Sequence, residues 1–60
     1  MTLKITPWML EHIELVSKVA LELGIPKDIP VEMAEFGFIS IDDTLSFELL
    51  KAVSAALGDK

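Results

Sequence analysis

The sequence predicts an all-α fold: a small three-helix domain, residues 1–60, that assembles into oligomers. Three observations carry this reading. Helix start and stop residues punctuate the chain three times, at Thr6-Pro7 and Gly24, at Pro30 and Gly37, and at Ser40 to Asp43 and Gly58. The two longer segments between them are apolar around most of their circumference. The composition leaves association as the main way for so short a chain to stabilise a core.

The first helix is expected over about Pro7 to Leu23. Thr6 suits the N-cap, Pro7 the first helical position and Gly24 the left-handed stop, and Pro26 prevents continuation. A shorter helix is expected over Val31 to Phe36, between Pro30 and Gly37. The third begins near Ser40 to Asp43, where Asp42 and Asp43 suit the positive end of the helix dipole, and stops at Gly58. Two short stretches read as extended. Thr2 to Thr6 alternates polar and apolar, and Phe38 to Ile41 is apolar and β-branched. Paired, they would form a short two-stranded ribbon, which is marginal by itself.

The helical patterns exceed what one copy needs. At 100° per residue, Glu11, Glu14, Lys18 and Glu22 fall within an arc of roughly 80° on the first helix, and apolar residues fill nearly all the rest. On the third helix, Thr44, Glu48 and Lys51 hold a similarly narrow stripe. A core-facing stripe needs little more than about 100°. The remainder should leave an apolar patch larger than the few hundred Å² that monomers tolerate. The expected interface is Trp8, Val16 and Val19 on the first helix with Phe47, Leu50 and Leu57 on the third. Ala52, Ser54, Ala55 and Ala56 narrow the end of the third helix, as a helix-packing seam requires.

Composition supports association by elimination. Sixty residues make one domain near the lower limit for folding alone. Disulfides, a metal or oligomerisation usually stabilise such chains. There is no cysteine, and His12 is the single histidine, so disulfides, thiolate sites and multi-histidine zinc sites are excluded. No metal ligand set is expected from Asp42, Asp43, Glu32 or Glu35, whose spacing matches no oxygen-ligand pattern. The chain is 52% hydrophobic, with a mean hydropathy of +0.52.

Charge narrows the partners. The net charge is −5, and every basic residue is a lysine. Nucleic-acid binding needs a positive footprint to neutralise phosphates, and an anionic membrane surface needs the same. Both are excluded. Ala20, Gly24 and Ile25 echo a helix-turn-helix, but the would-be recognition segment, Asp28 to Phe36, is acidic. No uncharged run approaches the length of a membrane span. Met1 to Ile5 lacks the basic region and apolar core of a signal peptide. A cytoplasmic location is expected.

The expected function is a non-enzymatic interaction or docking module, a homo-oligomer or a small subunit on a larger protein. No nucleophile–base pair, glycine-rich loop or ligand cluster points to catalysis, and no cofactor is expected on this reading. His12, beside Trp8, Val16 and Val19 on the apolar arc, reads as a packed side chain rather than a pH switch.

One constellation supplies an alternative. Leu23-Gly24-Ile25, Lys27-Asp28-Ile29-Pro30 and Ala34-Glu35-Phe36-Gly37-Phe38-Ile39-Ser40-Ile41 resemble acyl and peptidyl carrier domains. The resemblance implies a helical carrier with Ser40 as the attachment site for 4′-phosphopantetheine, and Glu48-Leu49-Leu50 in the helix that meets partner enzymes. A serine at a helix N-terminus is exposed, and its neighbouring N–H groups favour a phosphate. The family's Asp before the serine is Ile39 here, and its final two helices have no counterpart. Ser40 is therefore expected to be the N-cap of the third helix.

Overall fold

Pro7 can begin a helix but cannot continue a strand ladder, so the alternating stretch before it ends at Thr6. In the computed structural model, which describes residues 2–58, that stretch is strand β1 (Leu3–Ile5). Helices α1 (Pro7–Glu11) and α2 (Ile13–Leu23) follow, then strand β2 (Val31–Met33), one 3-10 turn (Glu35–Gly37) and helix α3 (Thr44–Gly58). β1 and β2 pair in parallel, Leu3 with Val31, Lys4 with Glu32 and Ile5 with Met33. A parallel pair needs a long crossover, and α1, α2 and the loop after them supply it.

The fold is therefore mixed rather than all-α. The expected helix over Val31 to Phe36 is a strand followed by a 3-10 turn. Six residues are too few to repay helix nucleation without tertiary support, whereas Leu3 N–H donates to the Pro30 carbonyl at 2.8 Å and Ala34 N–H to the Ile5 carbonyl at 2.7 Å. These bonds also displace the expected ribbon. β1 pairs with β2, so Phe38 to Ile41 is left outside the sheet.

The ends of the α1–α2 unit lie where the capping residues placed them. Thr6 Oγ1 accepts from Met9 N–H at 3.2 Å, and Thr6 N–H reaches the Met9 sulfur at 3.3 Å. This is a capping box in which a thioether replaces the usual carboxylate. At the other end Gly24 is left-handed, φ +80°. Its N–H donates to the Leu21 carbonyl, and Ile25 N–H donates to the Ala20 carbonyl, the paired bonds of a Schellman motif. Between them the expected single helix is interrupted. His12 leaves helical geometry, φ −121° and ψ +40°, and its N–H donates to the Met9 carbonyl instead of one residue earlier. No Gly or Pro marks this break. Tertiary packing overrides local propensity there, with Met9 on one side and Val16 and Val19 on the other buried in one core.

That core joins Leu3 and Ile5 of β1, Met9, Val16, Val19, Ile25, and Leu49 and Val53 of α3. α3 lies against both α2 and β1. Its burial points to β1, and the two strands fare differently: Leu3 and Ile5 are buried, while all three residues of β2 are exposed.

Candidate interaction surface

Successive residues of an extended strand turn their N–H and C=O to opposite edges. Lys4 therefore faces away from β2, and its N–H donates to Ser46 Oγ of α3 at 2.7 Å. Ser46 is fully buried, and its hydroxyl donates in turn to Asp43 Oδ1 at 2.7 Å. Helix α3 thus closes the outer edge of β1. The other edge is open. Pro30 and Ala34 bond toward β1, so Val31 and Met33 turn their N–H and C=O outward, and nothing among the described residues hydrogen-bonds to them.

An apolar groove runs beside this open edge. Register places Val31 and Met33 on the same sheet face as Leu3 and Ile5. On that face Leu3 and Ile5 are buried, whereas Val31 and Met33 are exposed. Ile13, Ser17 and Leu21 form an i, i+4, i+8 stripe on the wall of α2, and Ile29 and Val31 form the other wall. At the far end of β2, Met33, Phe36 and Phe38 line a second concavity with Lys4, Glu32 and Glu35. Phe36 is 90% and Phe38 77% exposed. Phe36 is held at φ +53° and ψ +22°, followed by Gly37 at φ +75°. Phe38 N–H closes this turn on the Glu35 carbonyl at 2.9 Å. Left-handed geometry costs a side-chain-bearing residue about 1–2 kcal/mol, so the turn holds Phe36 in solvent against a local preference.

The expected helical interface is divided by the fold. Val16 and Val19 point into the chain's own core and are not available to a partner. In a helix packed on one layer only, the central apolar rows are used internally, and the flanks stay outside. Trp8 and Phe47 are exposed, and Leu50 and Leu57 are half-buried. Trp8 and Leu50 share a shallow groove with Lys51, Ser54 and Ala55. Lys51 sits over the Phe47 ring at 5.7 Å, and His12 meets Trp8 edge-on, 5.2 Å between ring centroids.

Ser40 is exposed but does not cap α3. Helix α3 begins at Thr44, and the Asp43 carbonyl accepts its first bond, from Phe47 N–H at 3.0 Å. Asp43 is the N-cap residue. Ser40 Oγ accepts from Asp42 N–H at 3.1 Å in the preceding turn, a local serine turn. Among the described residues no three His, Cys, Asp or Glu side chains gather as metal ligands, and no helix is long and apolar enough to cross a membrane.

Sequence reasoning missed the β2 edge, the groove beside it and the role of Ser46. Two signals were available: the β-branched Val31 directly after Pro30, and a lone serine on an otherwise apolar helix face. Compared with protein-family models, curated proteins and solved structures, the chain matches none.

Proposed function

We infer that this chain is a non-enzymatic interaction module that works by protein–protein contact, as a homo-oligomer or as a small subunit docked on a larger protein. One observation carries the reading: among the described residues, eleven large apolar side chains stand exposed. They include Trp8 beside the groove on α3, Ile13, Leu21 and Val31 beside the open edge of β2, and Phe36 and Phe38 in the concavity at its far end. Monomers rarely leave contiguous apolar patches beyond a few hundred Å² in water. Total accessible surface agrees: it is 4401 Å², against about 3,900 Å² from size scaling for 6.6 kDa.

Static light scattering from low to high micromolar concentration tests this. The expected mass is a multiple of 6.6 kDa. A monodisperse monomer across the whole range would overturn self-association.

A further inference from the structure

We propose that two copies of this chain join through the open edge of β2, forming a four-stranded sheet in the order β1-β2-β2-β1 with the two α2 helices meeting over its centre. The inference rests on the reading of the chain as an interaction module and names the partner and the face.

The geometry limits how copies can add. A sheet edge with unpaired N–H and C=O groups is a template for another strand. Here only one edge qualifies. Ser46 and α3 occupy the outer edge of β1, so β2 of one copy cannot pair with β1 of the next. Head-to-tail growth is blocked, and the remaining arrangement is β2 against β2. A contact of one patch with itself is isologous and closes at two copies. The twofold axis makes the two β2 strands antiparallel. Val31 and Met33 then supply the bonding N–H and C=O groups on both sides. Pairing Val31 of each copy with Met33 of the other uses the outward groups of both residues and centres the contact on Glu32, whose side chains lie on the sheet face away from Val31 and Met33.

Side chains complete the interface. The groove between α2 and β2 has no cover within one copy, and the partner's α2 would lie over it. Ile13 and Leu21, both about half exposed, are the residues that would meet across the axis. With about 150–200 Å² for a fully exposed large apolar side chain, the exposed fractions of Ile13, Leu21, Val31 and Met33 amount to roughly 350 Å² per copy. A stable interface takes about 800 Å² per partner, a little over half of it apolar. The patch supplies most of that apolar share, and the paired β2 edges add polar area.

Sedimentation equilibrium on the native chain and three variants is the test, together with amide hydrogen exchange. Met33→Pro removes an N–H that has no partner within one copy, at an edge position where proline is tolerated. Leu21→Glu places a charge on an exposed position of α2. Phe47→Glu alters the opposite, helical side. The expected result is a dimer, weakened roughly tenfold or more by Met33→Pro and by Leu21→Glu and unchanged by Phe47→Glu. The Val31 and Met33 amides should gain protection as concentration rises, a readout that needs no substitution. A dimer weakened only by Phe47→Glu, or one in which these two amides stay unprotected, overturns the β2 edge while leaving the interaction reading intact. An open polymer also overturns it. A chain that stays monomeric overturns this dimer and self-association with it, and leaves docking on a larger protein as the interaction reading.

Discussion

The backbone N–H of Lys4 donates to Ser46 Oγ at 2.7 Å across 42 positions of sequence. This single bond closes one edge of the sheet and, through the hydroxyl's own bond to Asp43, ties β1 to the first turn of α3. Ser46→Ala should leave Lys4 N–H and Asp43 Oδ1 without this partner. The expected loss is about 1–3 kcal/mol. Chemical denaturation measures it, and faster exchange of the Lys4 amide locates it. An unchanged denaturation midpoint would show that water replaces the hydroxyl freely.

Phe36 predicts an effect of opposite sign. A bulky residue at φ +53° is strained, and asparagine tolerates that region better. Phe36→Asn should raise the stability of the single chain by about 1 kcal/mol, read as a higher melting temperature in dilute solution. In concentrated solution the same variant should associate less, because it loses an exposed aromatic. Strain retained at an exposed site is a feature of functional positions.

The caps of the α1–α2 unit predict two losses. Thr6→Ala removes the acceptor for Met9 N–H and should cost about 1 kcal/mol. Gly24→Ala meets no atom within 4 Å, so its cost is purely conformational, about 1–2 kcal/mol at φ +80°. Thermal melts of both variants check these values, and a melt unaffected by either substitution contradicts the assigned caps.

Ser40 predicts almost nothing for stability. Its one hydrogen bond is exposed and lies outside the helix, so Ser40→Ala should cost less than about 0.5 kcal/mol. Asp43→Ala should cost more, because it removes the partner of a buried hydroxyl at the true helix start. Co-expression with a phosphopantetheinyl transferase should leave the intact mass of the chain unchanged. A mass gain of one phosphopantetheine, abolished by Ser40→Ala, would instead support the carrier resemblance.

The sequence by itself determined the features that act within a turn or two of chain. Thr6, Pro7 and Gly24 place the ends of the α1–α2 unit, alternation places β1, and the apolar spacing after Asp43 places α3, because caps, left-handed glycines and helical periodicity are local interactions. Tertiary structure decided the rest. Val31 to Met33 carries too few residues for a local preference to choose between helix and strand, and the choice is made by backbone groups of Leu3 and Ile5 on the far side of the crossover. The break at His12 has no local cause and follows from burying Met9 with Val16 and Val19. Exposure was the least legible property. Apolar periodicity shows which residues avoid water, but which of them the chain itself covers depends on how many layers it folds into. Val16 and Val19 lie under α3 and β1, while Val31, Met33 and Phe36, no less apolar, stand at the edge where the sheet ends.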